Sequence, residues 1–498
     1  MRNRLAYAVF GLLSALVGIA AGHLVAAALE PASSPVLVVG STVIDLTPTP
    51  LKEWAIAHFG THDKTVLVGS VLVGVLVLAA VAGLLARRRF LYGAVLLVAL
   101  VAIPAVAAPT RPGASPSDVV PSLVAAVAGV AALAWLTRAA SPTEAGGRRS
   151  VLVAGGALAV GAVAMGAAGQ WLTSYRTRSV VVDLPAAADP APPFPTGLEQ
   201  RVPGISPFRT ATSDFYRVDT RLTLPIVDVD GWTLTIDGDV DRELTLTFDD
   251  LLAMPLIERD ITLTCVSNEV GGKYIGAARW LGVRLTDLLD KAGIDHSKAD
   301  QVLSRDVDGM TISTPLDVVT DGRDAMIAVG MNGRSLPREH GFPARMVVPG
   351  LYGFVSACKW INRMTLTTYA AQEAYWTKRD WATDAPIKPS SRIDTPKPLS
   401  TVAAGRTVIG GIAWAQHQGG VAKVEVRVDG GPWQQARLGP SAGSDYWRQW
   451  YLPWTAESGQ HTLAVRSTDG MGDVQTAARA TPFPDGSSGV QQIVVNVA

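Results

Sequence analysis

Five apolar runs dominate the first third of this 498-residue chain. They lie near residues 5–29, 65–86, 90–108, 118–137 and 150–172, and the third run is the shortest and is interrupted by Pro104. A helix needs about 20 apolar residues to cross a bilayer, and each run has roughly that length. Because lipid cannot satisfy backbone hydrogen bonds, such runs fold as helices. We therefore expect an all-α, five-helix transmembrane anchor over residues 1–172.

The basic residues indicate on which side of the membrane each loop lies. The whole chain has 43 Lys+Arg and 43 Asp+Glu, but residues 1–172 carry 11 and 6, whereas the remainder carries 32 and 37. Arginines precede the first run, follow the second and lie between the fourth and fifth, whereas the loops 30–64 and 109–117 carry mixed charge or a single arginine. Basic loops remain cytoplasmic. We expect a multi-pass protein of the cell membrane, with everything after residue 172 extracytoplasmic.

Two arginines stand directly before the last apolar run. Arg148 and Arg149 lead into a mildly apolar, Ala/Gly-rich segment, an arrangement that resembles a twin-arginine export signal. Ordinary positive-inside arginines explain the same pair equally well. The sequence leaves both interpretations open, although export after folding would suit a domain that acquires a cofactor in the cytoplasm.

Ionisable side chains are almost missing from the apolar runs, with His23 as the exception. Ion and proton pathways through membranes need such groups. Paired haem ligation would need histidines on facing helices. The sequence therefore favours an anchor over a transporter or a haem-binding bundle.

The remainder of the chain begins with a Pro-rich stretch, 173–212, which we expect to be an extended linker. From 213 to 384, strand-like alternation is mixed with short helical patterns, which predicts an α+β domain. Val227, Val229 and the alternation from Trp232 flank an Asp230–Gly231 turn and predict a hairpin. Short helices are expected at 249–254 and 284–292.

A second Pro-rich linker, 385–399, precedes a region whose pattern is that of strands throughout. Val424, Val426 and Val428 alternate with charged residues, Asp429–Gly430 supplies a turn, and 490–497 has the pattern of a closing strand. About a hundred residues with this spacing are typical of an immunoglobulin-like β-sandwich. We assign that fold to residues 400–498.

Cys265 ends a short alternating run in which Ile261 and Leu263 lie on the same face. This periodicity directs the thiol inward at the end of a strand. Most cysteines of this kind are small buried hydrophobic residues. An exported domain also permits a disulfide with Cys358, the only other cysteine. The spacing cannot decide whether that pair forms.

A second cluster runs from Asn332 to Trp360 and is punctuated by glycine and proline, so its backbone turns often and can approach a ligand. His340, Arg345 and Lys359 supply cationic donors that suit a phosphate or another anion. A solvated basic loop is the alternative interpretation.

Together these segments resemble the sulfite oxidase family, and more narrowly the membrane-anchored bacterial molybdopterin-dependent oxidoreductases with a C-terminal Mo-co oxidoreductase dimerisation domain. The resemblance covers about residues 205–498 and rests on the stretches Phe215–Arg217, Thr264–Asn268, Ala278–Val283, Asn332–Lys359 and Trp447–Trp450. It implies oxygen-atom transfer at a molybdenum cofactor with one pyranopterin dithiolene. The protein would supply binding, orientation and electrostatics.

The resemblance also implies roles for individual residues. Cys265 matches the cysteine whose thiolate binds molybdenum, and a soft thiolate suits such a metal. The implied cofactor-binding positions are Tyr216, Arg217, Asp306, His340, Arg345, Ala357, Cys358 and Lys359. The implied catalytic pocket contains Cys265, Arg217, Trp280 and Arg448. In sulfite oxidases the equivalent of Arg217 faces the substrate anion.

Two departures from the family pattern bear on the substrate. Glu269 and Val270 replace the arginine pair that follows the metal cysteine in sulfite oxidases, and Met310 stands where the family has a tyrosine. Losing two cations weakens the attraction of an anion. Sulfite oxidation, a related oxyanion reaction and reduction of a neutral S-oxide or N-oxide all stay open. So does a non-catalytic surface binding protein that retains the fold.

Electrons must pass to or from a separate carrier, because the sequence has no c-type haem motif and no iron–sulfur cysteine set. A quinone or a cytochrome fits the anchor. The other expected partners are a small-molecule oxo donor or acceptor, the membrane, and a second copy of the chain bound through the C-terminal domain. No nucleic-acid partner is expected.

Overall fold

The protein is described by a computed structural model over residues 4–48, 51, 54–55, 58–59, 63–111, 114–140, 147–178 and 180–498. The chain divides into two compact units. Unit 1 comprises Met1–Ser179 and Thr220–Ile226, and unit 2 comprises Val180–Asp219 and Val227–Ala498.

Unit 1 is helical. Its main helices are α1 (Arg4–Ala28), α2 (Pro35–Leu46), α3 (Asp63–Ala86), α4 (Phe90–Ala107), α5 (Val120–Ala139) and α6 (Gly147–Arg176). Within the described residues, all of these except α2 are long and apolar enough to cross a membrane. The five helices expected from the apolar runs are therefore present.

Two details of unit 1 differ from the sequence expectation. Residues 30–64, expected to be a loop, contain α2, whose first residue is Pro35. A proline there breaks no intrahelical hydrogen bond, because the first N–H groups of a helix have no partner within it. Pro104 lies inside α4 and does not end it. Apolar helices in bundles tolerate proline where neighbouring groups satisfy the exposed backbone.

Small residues allow α1 and α3 to pack closely. A Cβ placed on Gly11 of α1 would overlap the carbonyl of Ala79, and one on Gly83 of α3 would overlap the carbonyl of Tyr7. Glycine at both positions therefore lets the two backbones touch, which is a common source of packing energy between apolar helices.

The first part of unit 2 is an α+β domain with two sheets. Its strands are β1 (Thr233–Gly238), β2 (Leu244–Thr247), β3 (Leu256–Thr264), β4 (Ile275–Arg284), β5 (Gln301–Asp306), β6 (Thr311–Pro315), β7 (Met326–Met331), β8 (Arg334–Ser335), β9 (Arg345–Val347) and β10 (Ile361–Thr367). One sheet has the order β2-β1-β10-β5-β6, and the other has the order β3-β4-β7-β8 with β9 paired to β7. The short helices are α7 (Phe248–Leu252), α8 (Leu285–Ala292), α9 (Leu316–Val319) and α10 (Gly353–Ser356).

The local predictions for this domain are partly confirmed. Helices α7 and α8 lie at the predicted places, whereas the predicted hairpin across Asp230–Gly231 is wrong. β1 begins at Thr233 and pairs antiparallel with β2. In the fully described stretch 180–498, residues 227–231 contribute no strand. The alternation at Val227 and Val229 instead reflects side chains that pack against the core.

The Pro-rich stretch expected as a linker lies against unit 2 from residue 180 onward. The Val182 N–H donates to Ser335 Oγ (3.1 Å), and the Leu198 N–H donates to the buried Gln449 Oε1 (2.6 Å). These hydrogen bonds replace the water that an extended backbone would otherwise bind. This part of the stretch therefore belongs to the folded unit.

The last part of unit 2 is a β-sandwich. Its strands are β11 (Ser390–Thr395), β12 (Thr401–Val402), β13 (Gly405–Trp414), β14 (Val421–Val428), β15 (Gln434–Gln435), β16 (Arg437–Leu438), β17 (Arg448–Ala456), β18 (Gly459–Asp469) and β19 (Gln491–Val497). One sheet has the order β11-β13-β17-β16, and the other has the order β12-β19-β18-β14-β15. Val424 and Val426 of β14 and Trp450 of β17 are fully buried in its core, as the alternation predicts.

The sandwich contacts β3 of the α+β domain. The Thr262 N–H donates to the Asp445 carbonyl (2.9 Å), and the Thr262 hydroxyl accepts from the Trp447 N–H (2.9 Å). Thr262 lies three residues before Cys265, so this contact holds the end of β3 in place.

Candidate active site

Cys265 follows β3 directly and is buried. Its N–H donates to the Tyr274 carbonyl (2.9 Å), and its carbonyl accepts from the Asn268 N–H (3.0 Å). Burial raises the pKa of the thiol, whereas hydrogen bonds from Ser267 and the charge of Lys359 lower it. The loop therefore holds a thiol in a fixed position within the field of a cation, where a metal could replace its proton.

Cys265 and Cys358, both within the described residues, are not joined by a disulfide. The pairing that the spacing left open is therefore not formed. The Cys358 carbonyl accepts from the Met346 N–H (2.8 Å), and the Ala357 N–H donates to the Gly353 carbonyl (3.1 Å). The predicted cofactor contacts of Ala357 and Cys358 thus lie on a backbone held between α10 and β9.

Phe215 and Tyr216 lie in the segment before β1. Their rings stack with centroids 5.2 Å apart, and Phe215 lies edge-on to His340 at 5.5 Å. Burial raises the pKa of Tyr216, the charge of Cys265 raises it further, and the charge of Arg345 opposes both. Tyr216 therefore presents a neutral hydroxyl in the electrostatic field of the thiol and the guanidinium.

His340 and Arg345 are buried close together. His340 Nε2 lies 3.0 Å from the Thr212 carbonyl, and Arg345 Nη1 donates to the His340 carbonyl (3.2 Å). Burial is the main cause that lowers the pKa of His340 to about 4 and that of Arg345 to about 10. At neutral pH His340 is therefore uncharged and Arg345 is a cation. Because a carbonyl only accepts, Nε2 carries the proton and Nδ1 is the acceptor.

A carboxylate joins two of the predicted cations. Asp219 Oδ2 lies 2.7 Å from Arg217 Nε and 2.9 Å from Lys359 Nζ. The side chains of Asp219 and Lys359 are 6% and 11% exposed, whereas that of Arg217 is 35% exposed. Burial lowers the pKa of Lys359 to about 8, and Asp219 opposes this effect. Lys359 is therefore charged at pH 7.

Glycine at position 341 lets two loops approach each other. Gly341 has φ +111°, and a Cβ there would lie 3.0 Å from Arg345 Cβ and 3.2 Å from Lys359 Cα. Trp360 has φ +53°, a left-handed conformation that its Nε1 bond to the Arg338 carbonyl (2.7 Å) stabilises. These contacts fix the point at which Lys359 leaves the backbone.

Trp280 does not line an open pocket, contrary to the expectation. Its side chain on β4 is fully buried, and its Nε1 donates to the Ile261 carbonyl (3.1 Å). The guanidinium carbon of Arg345 lies 5.1 Å from its ring centre. A ring without exposed surface does not meet a substrate that enters from solvent. Trp280 therefore supports Arg345 from the core.

Arg448 and Asp306 are held by local contacts. Arg448 donates to the Gly439 carbonyl (2.9 Å) within the sandwich. The placement of Arg448 in the catalytic pocket stays a prediction. The Asp306 carboxylate accepts from two N–H groups of the β5–β6 turn at 3.0 Å each, which stabilises that turn.

Two further residues belong to this site, although the sequence pattern does not single them out. Asp219 is two residues from Arg217, in a segment without regular secondary structure, and its carboxylate accepts from the Arg217 side chain. Tyr352 is buried, and burial together with the charges of Asp485 and Cys265 raises its pKa to about 12. The charge of Cys265 thus contributes to the raised pKa of both Tyr216 and Tyr352.

The charges of this site suit a bound group that carries both an anion and a thiolate-bound metal. In the described part of the chain no carboxylate pairs with the buried Arg345, and a buried cation without a counter-ion is unfavourable. A phosphate would compensate Arg345 and Lys359. Cys265 offers a single soft ligand, and His340 Nδ1 offers a neutral acceptor. These residues fit a cofactor that combines a phosphate with a sulfur-bound metal.

Comparison with known proteins identifies the cofactor that this site binds. Residues 221–376, which contain Cys265, His340, Arg345 and Lys359, match the family described as oxidoreductase molybdopterin binding domain. This part of the chain is a molybdopterin-binding oxidoreductase domain. Residues 389–465 match the bacterial Ig domain family, in agreement with the sandwich. The expected cofactor and the expected enzyme class are confirmed.

Several relatives of this molybdopterin-binding domain are sulfite oxidases. The mitochondrial sulfite oxidases of Macaca fascicularis and Homo sapiens are each 33% identical over 291 residues, covering 49% of this chain and 53% of the relative. The sulfane dehydrogenase SoxCD from Paracoccus pantotrophus has a similar crystal structure, with a TM-score of 0.51 and 25% identity, covering 59% of this chain and 84% of that chain. The chain spans about half the length of the mammalian enzymes.

Proposed function

We propose that the protein is a membrane-anchored molybdenum-cofactor oxidoreductase that transfers an oxygen atom on a small substrate outside the cytoplasmic membrane. The proposed reaction is sulfite oxidation or a related reaction of an oxyanion or an S-oxide. One observation carries the proposal: Cys265 directly follows β3 within the molybdopterin-binding domain, in the field of the buried Lys359.

The chain's own residues divide the work of holding the cofactor. When bound, the cofactor supplies a two-electron oxygen-atom transfer centre. Cys265 would be the protein ligand to the metal, and the charge of Lys359 favours its thiolate. Arg345 and Lys359 would bind the phosphate. His340 donates from Nε2 to Thr212, which leaves Nδ1 to accept from the pterin.

The helices of unit 1 support the membrane part of the proposal. The helices α1, α3, α4, α5 and α6 are each long and apolar enough to cross a membrane. The arginine distribution favours a cytoplasmic N-terminus and an external unit 2. We extend the proposal to a quinone or cytochrome as the electron carrier and to a homodimer formed through the sandwich. The separate carrier is proposed because the sequence has no c-type haem motif and no iron–sulfur cysteine set, and the homodimer follows from the family resemblance.

An activity screen on one preparation tests the proposal. Full-length protein in detergent is assayed for sulfite oxidation with an artificial electron acceptor. The same preparation is assayed for S-oxide and N-oxide reduction with an artificial donor. Turnover in either direction that falls at least 100-fold in Cys265→Ser supports the proposal, because the thiolate ligand is lost. Ala464→Ser, which buries a serine in β18, is the matched control and should keep full turnover. Unchanged turnover in Cys265→Ser would contradict the assignment of the ligand.

A further inference from the structure

We propose that Asp219 sets the charge preference of the substrate site, so that an uncharged oxide is bound in preference to an oxyanion. The inference rests on the proposed function, because it concerns the substrate of that same site. It comes from the position of one buried carboxylate between Arg217 and Lys359.

The contacts of Asp219 are those of a counter-ion. Its Oδ2 lies 2.7 Å from Arg217 Nε and 2.9 Å from Lys359 Nζ, and its Oδ1 accepts from Arg217 Nη2 at 3.3 Å. Only 6% of its side chain is exposed, so solvent screens these interactions weakly. Two cations and one carboxylate leave a single net positive charge, and that carboxylate fixes the Arg217 guanidinium through two contacts.

The other candidate cations do not restore an anion site. Arg345 is buried above Trp280 and, with Lys359, is proposed to hold the cofactor phosphate. His340 is neutral at pH 7, because burial lowers its pKa to about 4. Among Arg217, His340, Arg345 and Lys359, all in the described part of the chain, Arg217 is the charged side chain that we take to meet a substrate, because it is 35% exposed, and Asp219 compensates its charge. The exposed Glu269 adds a negative charge to the loop that follows Cys265.

The consequence for substrate choice follows from Coulomb's law. A unit charge about 7 Å away, at an effective dielectric constant of about 40, changes the affinity of the site for a monovalent anion roughly tenfold. An uncharged S-oxide or N-oxide lacks that interaction. It can still accept a hydrogen bond from the guanidinium N–H groups of Arg217 that Asp219 leaves available.

Sulfate binding measures the charge of this site without turnover. Sulfate is titrated by calorimetry into cofactor-loaded, full-length protein, so that the phosphate subsite is already filled. Asp219→Asn should tighten sulfate binding about tenfold or more, whereas Asp219→Glu should stay within about threefold of wild type. Asp189→Asn, which removes another ion-paired aspartate on the α+β domain, is the matched control and should leave sulfate binding unchanged.

A double variant shows whether Asp219 acts through Arg217. In the Arg217→Gln background, Asp219→Asn should tighten sulfate binding by less than about threefold. The guanidinium whose charge Asp219 compensates is absent from that variant. An unchanged or weaker sulfate affinity in Asp219→Asn overturns the inference. If Asp219→Asn does not fold, the sulfate Kd of the wild-type protein is the test. A Kd above about 1 mM at 0.1 M ionic strength supports the inference, and a lower Kd overturns it.

The two proposals fail in different ways. Cofactor-loaded protein that shows no oxygen-atom transfer contradicts the proposed function and leaves the sulfate comparison readable. Normal turnover together with an unresponsive sulfate affinity contradicts only the role of Asp219.

Discussion

The guanidinium carbon of Arg345 lies 5.1 Å from the centre of the Trp280 ring, whose Nε1 donates to the Ile261 carbonyl (3.1 Å). Arg345 belongs to the proposed anion-binding side of the site, whereas Ile261 belongs to β3, the strand that directly precedes Cys265. One buried ring therefore connects the residue proposed to bind phosphate with the strand that carries the proposed metal ligand. The position of Arg345 depends on the core of the domain and not on a surface loop.

Trp280→Phe tests this connection. The substitution removes the Nε1–H bond to Ile261 and part of the surface beneath Arg345. We expect the free energy of unfolding to fall by about 1–3 kcal/mol and the fraction of cofactor-loaded protein to fall with it. Urea unfolding followed by circular dichroism, with molybdenum analysis of the same samples, measures both. Trp433→Phe, at a partly exposed ring of the sandwich, is the control. Equal losses in the two variants would contradict the supporting role of Trp280.

Gly341→Ala tests the close approach of the two loops. Its Cβ would meet Arg345 and Lys359 at 3.0 and 3.2 Å, and its φ of +111° already disfavours alanine. Gly333→Ala is a matched control, because it has φ +79° but open space around its Cβ. We expect Gly333→Ala to cost about 1 kcal/mol of stability. Gly341→Ala should cost at least about 2 kcal/mol and also lower the cofactor content. A smaller cost at position 341 than at 333 would refute the packing argument.

The pKa of His340 gives a pH dependence with a definite sign. It is about 4 in the folded protein, against 6.5 for an unperturbed histidine. Above pH 6.5 both states are neutral and the contribution of His340 to stability is fully present. As the pH falls from 6.5 towards 4, only the unfolded state binds the proton, so the free energy of unfolding decreases. At pH 5 the decrease should reach about 2 kcal/mol.

His340→Gln removes this titration. Between pH 7.5 and pH 5, wild type should therefore lose about 2 kcal/mol more stability than the variant. Urea unfolding midpoints of the full-length protein at the two pH values measure the difference. His296→Gln, at an exposed position, serves as the control and should follow wild type. Parallel losses in wild type and His340→Gln would contradict a buried, neutral His340.

The export hypothesis predicts a clear effect of two conservative substitutions. Arg148→Lys combined with Arg149→Lys keeps the positive charge at the start of α6 but removes the arginine pair. If the pair is a twin-arginine signal, unit 2 should remain inside the cell, where added protease cannot reach it. If the arginines act only through charge, unit 2 should be exported and cleaved as in wild type. Protease accessibility in intact and opened cells distinguishes the two interpretations.

The sequence predicts most of the elements of the fold. Apolar runs long enough to span a membrane identify five helices, and alternation around Val424 identifies the sandwich, because both are local patterns. α2 is missed because its 12 residues are shorter than a membrane span. The hairpin at Val227 is wrong because burial alone produces the same alternation as strand pairing. Such ambiguity is inherent in short apolar runs.

The site is harder to predict from sequence, because its contacts join distant residues. Asp219 and Lys359 are 140 positions apart, and nothing in the spacing brings them together. The family resemblance identifies Cys265 and the cationic residues. It does not show that Trp280 is fully buried or that Arg448 is held within the sandwich. Packing in three dimensions determines which face of a strand points to the core and which cation pairs with a carboxylate.

Metal analysis tests the central claim most directly. Full-length protein produced in a host that makes the molybdenum cofactor is purified in detergent and analysed by mass spectrometry for metals. We expect about one molybdenum per chain in wild type and in Ala464→Ser, because the site has one thiolate ligand. Cys265→Ser should lose most of it. Wild-type protein without molybdenum, or Cys265→Ser with a full complement, would contradict the account.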